Sequence, residues 1–239
     1  MKKHIPNFIT SLNLAAGSLA IIFALEGNLT ISSWLILSAM IFDFLDGFSA
    51  RLLEAYSSIG KELDSLADIV SFGVAPAVII YQLISKVSGM NISETNNITS
   101  ILILITPVLM PVFAGLRLAI FNTDESQANT FKGLPTPANA LAVISIIIAG
   151  SYTEEGLGNF ITGSVTGLVL LTLILSILMV TKIPMLSLKF HNLKLKGNET
   201  RYILIALVIL TLTVWGLGAA ALIIPIYIIV SLISWIFQQ

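Results

Sequence analysis

Apolar runs of about twenty residues, separated by short polar turns, recur along the whole chain. A run of that length crosses a bilayer as a helix, because a helix satisfies its own backbone where no water is available. Charged residues are only 10% of the 239, against roughly 25% in soluble domains. There is too little charge here to cover a water-exposed surface. The expected fold is therefore all-α, a polytopic transmembrane helical bundle of about eight spans.

The spans are placed at residues 7–25, 31–51, 62–85, 101–120, 137–149, 160–180, 202–215 and 219–237. Pro6 suits a helix start, and Pro107 and Pro111 are expected to bend the fourth span. Gly216-Leu217-Gly218 reads as the turn of a terminal hairpin. The chain divides into a catalytic transmembrane core (1–181), a basic loop (182–200) and the hairpin (201–239), all within one integral membrane domain. Met1-Lys2-Lys3-His4 resembles a signal n-region, but no small-residue cleavage site follows, so the first span reads as uncleaved. With no cysteine, disulfides, thiolate metal sites and cysteine nucleophiles are excluded.

An even number of spans puts both termini on one side. Lys2, Lys3, Arg51, Lys61, Arg117, Lys132, Lys182, Lys189, Lys194, Lys196 and Arg201 fall on that side. Lys86 falls on the other, with Glu26, Glu94, Glu154 and Glu155. The positive-inside rule then makes both termini cytoplasmic, as in a bacterial or archaeal inner membrane.

Against this apolar background, residues 43–68 stand out. Asp43 and Asp46 are spaced i, i+3 and share a helix face; Asp64 and Asp68, spaced i, i+4 after Gly60, form a second pair. A carboxylate near hydrocarbon costs about 2.5–3.5 kcal/mol on insertion scales, and clustered carboxylates repel. Bound cations resolve both problems. All-oxygen ligation suits Mg²⁺, Mn²⁺ or Ca²⁺, and two divalent ions would balance four carboxylates while leaving positions for phosphate oxygens. Gly47 and Ala50 remove bulk beside them, and Arg51 suits a bidentate grip on phosphate. The plainer reading is that the acids pair with Arg51, Lys61, Arg117 and Lys132 as interhelical glue.

The pattern Asp-x2-Asp-Gly-x2-Ala-Arg-x8-Gly-x3-Asp-x3-Asp, matched from Asp43 to Asp68, resembles that of the CDP-alcohol phosphatidyltransferases. The resemblance implies a helical membrane enzyme that moves a phosphatidyl group from a CDP-activated donor to an alcohol and releases CMP. It implies two divalent cations, Mg²⁺ or Mn²⁺, on Asp43, Asp46, Asp64 and Asp68, with Asp68 as the catalytic base. It also implies a CDP-lipid cup from Asn7, Thr10, Gly47, Ala50, Arg51, Ser57 and Gly60, and a homodimer. Asn7 and Thr10, near a helix start, also suit capping or interhelical hydrogen bonds.

Three further stretches resemble the CDP-diacylglycerol–serine phosphatidyltransferases: Ile5-Pro6-Asn7-Phe8-Ile9-Thr10 continuing to Gly17, Gly115-Leu116-Arg117 continuing to Asn122, and Phe131-Lys132-Gly133-Leu134-Pro135-Thr136-Pro137-Ala138. Lys182-Ile183-Pro184 is a weaker match. This resemblance implies CDP-diacylglycerol and L-serine as substrates. Arg117 and Lys132 are the candidates for holding the serine carboxylate or the lipid phosphate. Glycerol-3-phosphate or an inositol phosphate is the alternative acceptor; a phosphate would call for a tighter cation cluster than these two supply. An ion-coupled transporter is a third reading, but its ion site would lie near the midplane between repeated halves, and no internal repeat is present.

Overall fold

A computed structural model of the chain describes residues 4–124, 131–153, 157–187, 195 and 197–237. Of the boundary charges read from the sequence, Lys2, Lys3, Glu154, Glu155, Lys189, Lys194 and Lys196 lie outside the described residues.

The first two helices, α1 (His4–Leu25) and α2 (Leu29–Leu52), form an antiparallel pair across a turn at Gly27 and Asn28. Asn28 caps α2 by accepting from Ile31 N, and Ser32 Oγ donates to Ala20 O to tie the pair together. Next comes α3 (Ser58–Asp68), capped by Ser57, whose side chain accepts from Gly60 N. The helix thus begins four residues before position 62, where the third span was placed. A π-helical stretch, Ile69–Val74, joins α3 to α4 (Ala75–Ser88).

The fourth apolar segment is α5 (Ile98–Ile105) and α6 (Leu109–Thr123), interrupted by a 3₁₀ turn at Thr106–Val108. The interruption falls at Pro107, whose missing N–H removes one helical bond. Beyond it lie β1 (Phe131–Lys132) and α7 (Thr136–Tyr152). The sixth segment, expected to be one span, is two helices, α8 (Leu157–Thr162) and α9 (Val165–Val180). Ser164 accounts for the break, because its side chain caps α9 by accepting from Gly167 N.

The two-residue strand β2 (Pro184–Met185) pairs antiparallel with β1. Between β1 and α7 the chain turns at Gly133, with φ +77°, where a Cβ would lie 2.5 Å from Met179 O and 2.9 Å from Thr181 O. Only glycine fits so close to those carbonyls.

The last apolar segment contains α10 (Glu199–Trp215), a 3₁₀ turn at Gly216–Leu222 and α11 (Ile223–Phe237). Thr200 and Ser234, 34 residues apart, share a hydroxyl hydrogen bond of 3.3 Å. A straight helix would separate them by about 50 Å, so the segment folds back. The reversal is at Gly216, whose φ of +66° suits glycine. This hairpin is stitched to the chain around β2: Leu186 N donates to Ser231 Oγ, Tyr227 Oη to Leu186 O, and Arg201 Nε to Ser187 O at 2.7 Å.

Among the described residues the fold is all-α apart from the one β pair. Five helical segments among the described residues are long and apolar enough to cross a membrane: His4–Leu25, Leu29–Leu52, Ser58–Ser88, Ile98–Thr123 and Glu199–Ile236. Thr136–Tyr152 and Val165–Val180 are shorter apolar helices. Several large apolar side chains, including Phe8, Ile59, Phe160 and Trp215, face outward, as expected for a protein bathed in lipid. The core lies between the helices, built from Ala20, Ile36, Phe72, Ile79, Ile80, Ile84, Met110, Val143, Ile144 and Leu168.

Candidate active site

The aspartates meet because α1 and α3 run side by side in the same direction with α2 beside them. Asn7 sits against Gly60, where a Cβ would lie 2.7 Å from Asn7 Oδ1. Ten residues further along α1, Gly17 meets Ser71 in direct backbone contact, and Ser71 Oγ donates to Asn13 O at 3.1 Å. Between those two fixed points, one turn before Ser71, lies Asp68. From α2, which runs the opposite way, Asp43 and Asp46 project into the same region.

Carboxylate oxygens of Asp43, Asp64 and Asp68 all lie within 4.8 Å of one another. That separation suits shared coordination of a hard cation. Asp68 is 8% exposed and Asp43 and Asp64 are half-buried. Asp46 lies outside this closest trio but is 6% exposed, with Thr10 beside it. Asp46 Oδ2, Asp64 Oδ1 and Asp68 Oδ1 are buried without a hydrogen-bond partner. Buried polar atoms in proteins are ordinarily bonded, and several carboxylates left this way need positive charge. Among the described residues none of the four aspartates forms an ion pair; Lys132 Nζ with Asp124 Oδ2, at 3.8 Å, is the one pair found. This removes the glue reading in favour of a cation. The donor set therefore fits divalent metal.

The remaining sequence-read residues fall in three places. Asn7, Ser57 and Gly60 are together: Asn7 Oδ1 and Ser57 Oγ both lie within 3 Å of where a Gly60 Cβ would be. Thr10 is buried, and its Oγ1 donates to Pro6 O at 3.0 Å, a local helix bond. On the last turns of α2, Gly47 has open space where a Cβ would stand, Ala50 is half-buried, and Arg51 is exposed at the helix end. Arg117, on α6, is 6% exposed; its Nε donates to Leu134 O at 2.9 Å and its Cζ lies 5.4 Å from the Phe121 ring centre. It is within electrostatic reach of Asp68. Lys132 is half-exposed on β1 and paired with Asp124. Gly133 N donating to Ile183 O, and Leu134 N donating to Leu178 O, anchor the stretch between them.

Two asparagines that sequence reasoning passed over also belong here. Asn13, fully buried, faces Asp68, yet neither amide atom makes a hydrogen bond. Asn139, equally buried, donates from Nδ2 to Phe72 O at 3.2 Å, four residues past Asp68. Their signal was available: amides inside apolar runs are costly unless partnered or functional.

The family model for CDP-alcohol phosphatidyltransferases matches residues 3–237, nearly the full chain. The chain belongs to the CDP-alcohol phosphatidyltransferase family. A CDP-diacylglycerol–serine O-phosphatidyltransferase of Helicobacter pylori strain J99 is 33% identical over 97% of this chain and 91% of its own. The enzyme of that name from Mycobacterium tuberculosis H37Rv is 35% identical over 86% of this chain and 68% of its own. An archaetidylserine synthase of Methanothermobacter thermautotrophicus is 36% identical over 63% of this chain and 60% of its own. Family membership confirms the all-α membrane architecture expected from the apolar runs and the Asp43–Asp68 spacing.

Proposed function

We propose that this chain transfers the phosphatidyl group from CDP-diacylglycerol to L-serine, giving phosphatidylserine and CMP. The observation that carries the reading is the trio Asp43, Asp64 and Asp68, within 4.8 Å on two helices, in a family member. The acceptor follows from relatives named for serine, one of them over nearly the whole chain.

In the reaction the serine hydroxyl oxygen attacks the phosphorus that carries the diacylglycerol. The bond from that phosphorus to the CMP oxygen breaks, and the hydroxyl proton passes to a carboxylate. Asp68 is the base: it is the deepest carboxylate on α3, and its Oδ1 has no other partner. Asp43, Asp46, Asp64 and Asp68 would hold two divalent cations, Mg²⁺ or Mn²⁺, which supply charge neutralisation at the diphosphate. Asn7, Thr10, Ser57 and Gly60, with Gly47, Ala50 and Arg51 across from them, line the CDP-lipid cup. The open space at Gly47 leaves the nucleotide room there.

Arg117 holds the serine carboxylate or the lipid phosphate. A buried guanidinium that meets no carboxylate among the described residues is poised for an anionic ligand. Lys132, already facing Asp124, plays a lesser part at the rim.

We place the site at the cytoplasmic face of the inner membrane, with both termini cytoplasmic and eight passes in one integral domain. The support is charge: Arg51, Lys61, Lys132, Lys182 and Arg201 collect at the aspartate end of the bundle, and Lys86 stands at the other. The homodimer implied by the family is part of the same reading.

The deciding assay offers purified protein CDP-diacylglycerol and Mn²⁺ or Mg²⁺ with serine, glycerol-3-phosphate or an inositol phosphate in separate reactions. CMP release with serine is expected. Release only with another acceptor would overturn the assignment while leaving the chemistry.

A further inference from the structure

The helix that carries Asp64 and Asp68 changes its winding immediately after Asp68, and a proline explains why. In a regular α-helix the Phe72 carbonyl would accept from the N–H of residue 76, which is proline. Proline has no N–H, and its ring collides with the carbonyl four residues back. The helix widens instead. Ile69–Val74 is π-helical, and Ala75 N donates to Val70 O, five residues back rather than four. The Phe72 carbonyl takes its side-chain donor from another helix, Asn139 Nδ2 of α7, at 3.2 Å.

Neighbours hold this turn on two further sides. Ser71 Oγ donates to Asn13 O on α1. Gly73 packs on α6 so closely that a Cβ would lie 3.2 Å from Pro111 Cα and from Ala114 Cβ. A π-turn inserts about one extra residue into the helical register, so it rotates the helix on its N-terminal side by about 100° relative to the helix on its C-terminal side. Asp64 and Asp68 lie on the N-terminal side; the buried face of Ile79, Ile80 and Ile84 lies on the C-terminal side. With the turn, the apolar face meets the core while both carboxylates meet Asp43.

We propose that Asn139 is a positioning residue for phosphatidyl transfer: by bonding Phe72 O it holds the π-turn, and the π-turn aims Asp64 and Asp68 at α2. The inference rests on the reading of the aspartate cluster as the reaction centre.

Four variants of the full-length protein test it, each measured for kcat, for KM toward CDP-diacylglycerol, for Mn²⁺ binding by electron paramagnetic resonance without substrate, and for thermal unfolding. Asn139→Ala should lower kcat about tenfold or more, with KM little changed, and weaken Mn²⁺ binding about tenfold. It also removes a buried hydrogen bond between α7 and the π-turn, so its Tm should fall. Pro76→Ala separates the two effects. It restores the N–H at position 76 and favours a regular helix, so Tm should hold or rise while kcat and Mn²⁺ affinity fall as in Asn139→Ala. The double variant, Pro76→Ala with Asn139→Ala, should recover Tm but not turnover. Wild-type kcat and Mn²⁺ binding in Pro76→Ala, or wild-type kcat in Asn139→Ala, would overturn the inference. Asp68→Asn, assayed in parallel, tests the underlying reading: activity there removes the base, whereas inactivity beside a fully active Pro76→Ala removes only the π-turn's role.

Discussion

α2 and α3 each bring two aspartates to the cluster, yet they are supported in different ways. α2 is an unbroken helix of 24 residues, and the directions of Asp43 and Asp46 follow from its own backbone. α3 has 11 residues and passes directly into a π-turn that is bonded or packed against α1, α6 and α7. One half of the site is therefore set by local geometry and the other by tertiary contacts. Changes to the neighbours of α3 should reach the chemistry; changes of similar size around α2 should not.

The largest effect is expected on the side of α3. Asp68→Asn should reduce turnover by about a thousandfold, within the range for a lost general base, while CDP-lipid binding measured by equilibrium dialysis is largely kept. Wild-type turnover would remove Asp68 from its role. Chelation should likewise abolish activity, with recovery on adding Mg²⁺ or Mn²⁺; activity that persists in excess chelator would count against a metal site.

Gly17→Ala attacks the support rather than the cluster. Its Cβ would run into Ser71, including backbone at 2.7 Å, so α1 and the π-turn must separate. A loss of about 1–3 kcal/mol is expected from such overpacking, together with a lower kcat, read by thermal unfolding and assay. An undisturbed Tm would mean the two helices are less tightly set than their contact implies.

Smaller effects are expected at Gly47 and Gly60, the two glycines of the proposed nucleotide cup. At Gly60 a Cβ meets only the movable ends of Asn7 and Ser57, and at Gly47 it meets nothing. Gly47→Ala should unfold near the wild-type temperature, within about 1 kcal/mol for a substitution without clash. Gly60→Ala should be about 1 kcal/mol less stable, because Ser57 must move and its cap on α3 weakens. Each should raise KM for CDP-diacylglycerol several-fold, roughly the weight of one polar contact. Unchanged KM in Gly47→Ala would take that position out of the cup. Smallest of all is Lys132→Ala, expected to change KM for serine by about twofold, since its pair with Asp124 is exposed and worth little. A loss as large as that of Arg117→Ala would reverse the ranking of the two cations.

Much of this arrangement was legible from charge alone. Four aspartates in an apolar chain are too costly to be incidental, and their spacing identified two helical faces. The turn at Gly216 was equally plain, because glycine and a change of direction coincide. What escaped notice depends on long-range partners. Pro76 lies in an apolar run where a proline reads as a modest bend, and only Asn139, 63 positions later, shows which carbonyl it orphans. Asn13 and Asn139 look like passengers in apolar spans until the helices are packed. The start of α3 and the break before α9 were missed for a local reason, as Ser57 and Ser164 are caps whose role shows only with the backbone that bonds to them. Arg117 and Lys132 read alike in the sequence, and only the packed helices set them apart, Arg117 buried and Lys132 half-exposed.

The stitching of β1 to β2, and of β2 to the terminal hairpin, has a consequence for the order of synthesis. Every aspartate of the cluster lies within residues 4–88, yet the π-turn that aims Asp64 and Asp68 packs against Pro111 and Ala114 and is bonded by Asn139, so the cluster is aligned only once α6 and α7 are in place. The strand bearing Lys132 waits for Pro184 and Met185, and their neighbour Leu186 waits for Tyr227 and Ser231. The rim strand is therefore fixed later than the aspartate cluster, once α11 has packed against β2. A nascent chain thus aligns its aspartates before it fixes the rim that carries Lys132.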